Sequence, residues 1–360
     1  MFKDDIDTPA LLIDMDLMEK NLETMAHFFR DKKEMQFRPH YKTPKTPIVA
    51  AKQIKSGAVG VCCQKLGEAE TLIHSGITNV LITNEIVGEQ KIKKLIGLRK
   101  HAPELMVCVD NLIPARALSE EARRKGVRMS VLVDVNVGLN RCGVAPGKPA
   151  AEFAKEIDAL NGLDLRGFQC YHGRLHFLDQ EYGMDTKLQE IEKCNNLIVE
   201  TREAMETSGL NVEIISGSGT GTYKWQYPVM NEIQPGSYVL MDWRYNKSAP
   251  EFERALTILT TVLSTPAKDR LVVDAGIKTA STDDGMPILK DIEGYEYRSA
   301  GDEHGVLTPK EATRELKIGE KVELYPSHCD TTINLYDQYY GMRDGEVEVI
   351  WPITARGKSQ

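Results

Sequence analysis

Met35-Gln36-Phe37-Arg38-Pro39-His40-Tyr41-Lys42-Thr43-Pro44-Lys45 begins as a half-buried strand and ends in a burst of polar residues. Lys42 falls just past the strand, in a loop closed by Pro44, where the scaffold holds it while its amine reaches an open face. A lysine that attacks a carbonyl needs that setting, because partial desolvation keeps its amine neutral part of the time. A lone lysine after an edge strand is ordinarily a solvated surface residue, so the rest of the chain has to decide.

Upstream, Ala10-Leu11-Leu12-Ile13-Asp14 reads as a strand, and a helix comes next over roughly 16–30, with Leu17, Leu22, Met25, Phe28 and Phe29 on its apolar side. Downstream, short Val/Ile/Leu-rich runs alternate with amphipathic stretches. The strands fall at 36–40, 58–63, 79–83, 105–110, 129–135, 165–171, 212–216 and near 233–239. Helical stretches lie at 66–74, 88–100, 112–125, 151–160 and 187–208. Repeated strand–helix units with strands apolar on both faces predict a (β/α)8 barrel over residues 15–250, with a doubly wound open sheet as the alternative. Pro235-Gly236 interrupts the last unit. Beyond Ala249-Pro250 the texture changes to strand-like runs at 256–262, 270–274, 306–307, 321–324, 332–335 and 346–350, a mainly β second domain over 251–360.

The chain has 360 residues, 41% hydrophobic and 27% charged, with a net charge of -8, which speaks against a nucleic-acid or anionic-membrane partner. No apolar run approaches spanning length, and Met-Phe-Lys-Asp-Asp does not begin a signal peptide, so a cytoplasmic protein is expected. Seven cysteines without metal-knuckle spacing read as reduced core thiols.

A barrel enzyme works at the C-terminal ends of its strands. Those ends deliver His40 and Lys42, Gln64, Asn84, Asp110 and Asn111, Asp134, Asn136 and Arg141, then Tyr171, His172 and His176. Next comes Ser216-Gly217-Ser218-Gly219-Thr220-Gly221-Thr222, with glycines that let backbone N–H groups turn toward one anion, aided by any helix that starts beyond it. A phosphate cradle fits that run better than a flexible loop. In the second domain His328-Cys329-Asp330, if extended, projects an imidazole and a carboxylate to one side and Cys329 to the other. That pair suits Mn²⁺, Mg²⁺ or Zn²⁺, although His–Asp pairs are more often structural.

Arg38-Pro39-His40-Tyr41-Lys42-Thr43 resembles the R-P-H-x-K-T signature of the D-threonine aldolase and eukaryotic-type D-serine dehydratase family, pyridoxal 5′-phosphate (PLP) enzymes of the alanine racemase fold. The resemblance covers nearly the whole chain and implies that Lys42 carries PLP and that residues 1–14 join the β domain. Pro235-Gly236-Ser237 is similar to the fold's second phosphate contact, which sets the phosphate between Ser218, Gly219, Thr220 and Gly236, Ser237. Gly138-Leu139-Asn140-Arg141-Cys142-Gly143 resembles a G-x-N-R-x-G segment whose arginine lies beside the ring oxygen or substrate carboxylate, and Tyr171 takes a place facing the pyridine ring. Gln64 joins these as a cofactor contact. His-x-Asp is the metal pair of the aldolase branch and His-x-Cys that of the dehydratases, so Asp330 points to an aldolase. Asp302-Glu303-His304-Gly305 resembles an E-H-G segment near that metal, and Asp274-Ala275-Gly276-Ile277-Lys278 a D-A-G-x-K strand; both read as supporting structure.

The expectation is therefore a PLP- and divalent-metal-dependent aldolase for D-threonine-like substrates or 3-hydroxyaspartate, with His172 or His176 as base. Arg174 or Arg244 would receive a second substrate carboxylate. Relatives imply a homodimer. The alternatives are a dehydratase on the same scaffold and a non-catalytic PLP-binding protein.

Overall fold

The computed structural model describes residues 1–360, which divide into two compact units. One comprises Ala26–Lys42, Val49–Gly236 and Lys358–Gln360; the other comprises Met1–Met25, Thr43–Ile48 and Ser237–Gly357. The second unit thus begins at Ser237 rather than at 251. Leu240 O accepts from the N–H groups of Ala255 and Leu256, which ties 237–250 to the strand that starts at Leu256. Thr43–Ile48 joins the same unit because Ala355 N donates to Lys45 O and Tyr339 Oη donates to Pro44 O at 2.8 Å.

The first unit is built on eight parallel strands: Gln36–Phe37, Val61–Cys63, Val80–Glu85, Met106–Val109, Met129–Asp134, Leu163–Cys170, Ile214–Gly217 and Glu232–Ile233. Tyr41 N donates to Cys62 O and Cys62 N to Pro39 O, so the first strand meets the second and the sheet closes into a barrel, not an open doubly wound sheet. Every residue of Met106–Val109 and Met129–Asp134 is buried, the mark of parallel strands covered on both faces. Helices Pro47–Lys55, Leu66–His74, Glu89–Arg99, Leu112–Arg124, Lys148–Asp158 and Met184–Thr207 supply the outer cover. In Leu112–Arg124 the Asn111 side chain caps Ile113 N, and Ala115, Leu118 and Ala122 form the buried stripe. The last strand is shorter than expected: after Glu232–Ile233 the chain passes Pro235 and enters a 3-10 turn at Ser237–Val239.

The barrel interior is apolar on one side, where Cys62, Leu81, Met106, Cys108 and Leu132 pack together. A column of polar side chains runs beside it. Gln169 Nε2 donates to Asp134, Gln234 Nε2 bridges Gln169 Oε1 and Ser216 Oγ, and Ser216 donates to Glu232. Glu232 meets Arg38 at 2.9 Å, and Arg38 donates to Asn79 Oδ1 at 2.7 Å. Each of these side chains is bonded to the next, which offsets most of the cost of burying them, although Arg38 Nε is left without a partner.

The second unit carries a nine-stranded sheet. Its continuous path is Tyr295–Ser299, Gly305–Pro309, Arg270–Val273, Leu256–Ala267, Ala10–Asp14, Gln338–Arg343 and Glu346–Pro352. Lys321–Tyr325 pairs with Leu256–Ala267 and with Ile288–Leu289. Ala10–Asp14 lies antiparallel to Leu256–Ala267 and parallel to Gln338–Arg343, which makes it an inner strand of this sheet. The run expected as a strand at 332–335 is not one. Cys329–Ile333 is helical, because Cys329 and Ile333, four apart, bury one helical face. All seven cysteines are free, and six of them are buried.

Candidate active site

His40, Lys42, Gln64, Thr83, Arg141, Gln169, Tyr171 and Gln234 line one cleft at the strand ends of the barrel. Of the residues singled out from sequence, Lys42, Gln64, Arg141 and Tyr171 therefore come together. His40 organises the lysine: Lys42 N donates to its Nδ1 at 3.2 Å, which leaves the proton on Nε2 to meet Thr83 Oγ1 at 3.2 Å. Thr83 Oγ1 in turn reaches Cys63 O and Gln64 Oε1, while Gln64 Nε2 donates to Thr83 O. Lys42 itself is half-buried.

Arg141 is presented by a folded loop. Asn136 Oδ1 accepts from Gly138 N and Asn140 N, and Asp110 accepts from Gly143 N. Gly143 has φ 99°, and a Cβ there would lie 2.7 Å from Asn136 N, so only glycine closes this turn. The guanidinium stands 5.6 Å from the Tyr171 ring.

Sequence reasoning missed Glu85, which carries no local motif. Its carboxyl and those of Asp110 and Asp134 gather from three neighbouring strand ends, with Cys142 alongside. Burial first, then Asp134 and Asp110, push Glu85 up from 4.5 to about 7, and burial also raises Asp134, which hydrogen-bonds to it. The folded protein therefore holds a proton that the unfolded chain has lost between pH 4.5 and about 7, so this group's stabilising contribution falls as pH rises through that window. Glu85→Gln is expected to match wild type most nearly at about pH 4, below the window, and to be more stable at about pH 8, by about 1 kcal/mol after allowing for solvent screening. Thermal unfolding at the two pH values checks this; an unchanged or lowered melting temperature at pH 8 would contradict it.

The glycine-rich loop is buried and shaped by hydroxyls. Ser218 adopts φ 59°, and its Oγ lies 2.9 Å from Thr222 Oγ1. A left-handed residue within such a run is what makes an anion-binding concavity. Thr220 Oγ1 accepts from Gly236 N at 3.2 Å, which brings the two expected phosphate segments together, with Ser237 next in the chain. Turns come directly after the loop, so no helix dipole assists it. His176 fills the space beneath. A Cβ at Gly219 would lie 2.8 Å from its ring and one at Gly221 2.9 Å from its Cβ. A buried, glycine-rich loop that carries a left-handed residue and three hydroxyls fits a phosphate.

The two candidate bases differ. His176 is fully buried, and burial, with Lys187 and Lys42 nearby, pushes its pKa down to about 3. His172 is half-buried and its Nδ1 has no hydrogen-bond partner. Burial lowers its pKa, with Glu190 opposing and Arg174 reinforcing, so the ring is neutral at pH 7 and can accept a proton. It lines a cavity of about 290 Å³ with Gly138, Arg174, Leu175, Leu178 and Tyr182. Arg244 instead pairs with Asp284.

In the second unit, His328 Nε2 lies 3.9 Å from Asp330 Oδ2. The segment is not extended throughout: His328 is the extended N-cap and Asp330 sits in the first helical turn. The two still converge, and Cys329 between them is fully buried. Asp242 anchors the turn by accepting from Cys329 N at 3.0 Å and Tyr245 N at 2.7 Å, and burial raises it to about 6. An imidazole nitrogen and a carboxylate oxygen this close fit a divalent ion bound by both. Asp302, Glu303 and His304 are exposed, and Lys278 pairs with Glu303 at 2.6 Å. Asp274 accepts from Thr8, Thr260 and Thr261, a purely structural knot.

Barrel and sheet together define a two-domain enzyme of the alanine racemase fold. The alanine racemase N-terminal domain model matches residues 13–242, and the serine dehydratase domain model matches 255–342. The chain is 36% identical over 370 residues to a 3-hydroxy-D-aspartate aldolase of Paracoccus denitrificans, covering 99% of this chain and 94% of that one. It is 35% identical over 364 residues to a D-threonine aldolase of Arthrobacter sp, with the same coverage of 99% and 94%. The D-threonine aldolase structure from Filomicrobium marinum superposes with a TM-score of 0.94 at 40% identity, covering 99% of this chain and 97% of that one. The chain belongs to the D-threonine aldolase and D-serine dehydratase-like family of alanine racemase-fold enzymes. That membership supports PLP as the cofactor. No helix is long and apolar enough to cross a membrane.

Proposed function

We propose that this protein is a carbon–carbon lyase that cleaves D-β-hydroxy-α-amino acids to glycine and an aldehyde, using PLP and a divalent metal ion. The observation that carries this reading is the aspartate at the second ligand position, Asp330, held 3.9 Å from His328 Nε2. Relatives named as aldolases are 35–37% identical over nearly the full chain, whereas the D-threo-3-hydroxyaspartate dehydratase of Delftia sp. is 27% identical. A D-threo-3-hydroxyaspartate dehydratase with one cysteine replaced by alanine, 25% identical to this chain, has been solved in a metal-free form.

Lys42 would hold PLP, with Ser218, Gly219, Thr220, Gly236 and Ser237 around the phosphate and Gln64, Arg141 and Tyr171 around the ring. His328 and Asp330 would hold Mn²⁺, Mg²⁺ or Zn²⁺. Bound PLP supplies an electron sink for charge at Cα, and a bound ion lowers the pKa of the substrate hydroxyl. His172, whose neutral ring lines the cavity with Arg174, takes the β-hydroxyl proton. The Cα–Cβ bond would then break, the β-carbon leaving as the aldehyde and its electron pair staying on Cα, where a proton, returned by His172 or taken from water, completes glycine. His176 stays neutral beneath the phosphate loop and shapes it. A homodimeric, cytoplasmic enzyme is the assembly and setting we infer.

A product assay tests the reading: glycine plus aldehyde supports it, and a keto acid with ammonia would make the protein a dehydratase. For substrate choice, Arg174 beside His172 favours an acidic side chain. Arg174→Met is expected to raise KM for 3-hydroxy-D-aspartate roughly tenfold or more, the worth of a charged hydrogen bond. D-Phenylserine should be unaffected, and Arg244→Met should be neutral for both. Equal turnover of D-threonine and 3-hydroxy-D-aspartate by the wild type would sink that preference.

A further inference from the structure

We infer that Asp283 is the positioning residue of the metal pair, holding the His328 ring in the tautomer and orientation that present Nε2 as a ligand. The inference rests on the reading that His328 and Asp330 bind a divalent ion. His328 Nδ1 lies 2.8 Å from Asp283 Oδ2. A carboxylate accepts only, so the ring proton sits on Nδ1, and Nε2 keeps the lone pair that faces Asp330 at 3.9 Å. The other carboxylate oxygen is occupied as well: Ser281 Oγ donates to Asp283 Oδ1 at 2.6 Å and Thr331 Oγ1 donates to it at 2.9 Å.

These contacts do more than orient one ring. Thr331 comes directly after Asp330 in the short helix, so Asp283 grips the segment on both sides of its second ligand: His328 through Oδ2, Thr331 through Oδ1. Rotation of the imidazole and unwinding of the first helical turn would each break a bond to the same carboxylate. Metal-binding histidines gain ligand strength from such a partner, and losing it weakens metal binding by about 10–100-fold. No motif marks the residue, which lies 45 positions before His328.

The test uses the full-length, PLP-loaded protein stripped of metal and titrated with Mn²⁺, free Mn²⁺ being read by electron paramagnetic resonance. Asp283→Ala is expected to weaken Mn²⁺ binding by about 10–100-fold while the visible absorbance of PLP is unchanged. Asp283→Asn keeps an acceptor for Nδ1–H and should weaken binding less. Thr331→Val, which removes one of the two grips, should fall between Asn and wild type. ¹⁵N spectra of the histidine side chains in the metal-free protein should show His328 protonated on Nδ1 in wild type and in Asp283→Asn, and a mixture of tautomers in Asp283→Ala. Wild-type Mn²⁺ affinity in Asp283→Ala, with binding lost in His328→Ala, would overturn the role of Asp283 and leave the metal pair standing. Wild-type affinity in His328→Ala and Asp330→Ala would overturn the metal reading itself.

Discussion

Lys42→Ala is expected to abolish aldol cleavage, by more than about a thousandfold, and to remove the visible absorbance of bound PLP together with its trapping by borohydride. The residue is half-buried, and only its backbone N–H contributes to the hydrogen bond with His40, which alanine retains. Thermal unfolding of the variant, read beside its activity, separates loss of chemistry from loss of fold. Two other lysines are near in sequence. Lys45 is buried with φ 46°, its carbonyl bonded to Ala355 N, and Lys65 is the N-cap of the helix Leu66–His74. Mapping the borohydride-trapped peptide to either of them would overturn the assignment of Lys42.

Chelation is expected to cut activity about as severely while leaving the PLP absorbance intact, and added Mn²⁺ should restore it. The metal pair shares no residue with the PLP set, and Lys42 with every phosphate residue but Ser237 belongs to the first unit, so the two should fail independently. His328→Ala and Asp330→Ala should behave like the chelated protein and resist rescue at ordinary metal concentrations, since each removes half of a two-residue set. Cys329→Ser should bind metal as wild type does, because Cys329 is fully buried and a serine keeps a donor toward Asp242. Full activity after exhaustive chelation would remove the metal from the reaction. Loss of metal in Cys329→Ser with Asp330→Ala unaffected would mean that the wrong pair has been named, and the aldolase reading would go with it.

The barrel was legible because its strands are short Val/Ile/Leu runs separated by clean amphipathic stretches, and Leu66–His74 matches its expected limits. Pro47–Lys55 was not, because Thr43-Pro44-Lys45-Thr46-Pro47 reads as loop until Pro47 is recognised as a helix-starting residue. Thr332 and Ile333 are β-branched and suggested a strand, but burial of Cys329 and Ile333 on one face decided for helix. Lys42, Arg141 and the glycine loop could be found because their chemistry is packed into contiguous residues. Glu85 and Asp283 could not, since each matters only through neighbours far away in sequence. The choice between His172 and His176 was equally invisible: four residues apart, they differ only in burial and in what surrounds each ring.

The polar column through the barrel constrains anyone who would re-engineer the enzyme for other substrates. Gln169 and Gln234 face the cleft, which makes them natural targets for saturation libraries. Yet Gln234 also holds Ser216, which holds Glu232, which neutralises Arg38. Randomising one glutamine alone leaves an acceptor or donor stranded several steps away, so most clones would be lost to misfolding before catalysis is sampled. Libraries that vary Gln169 and Gln234 jointly, keeping Ser216 and Glu232 as they are, would explore the same cleft while preserving the scaffold's internal matching of donors and acceptors.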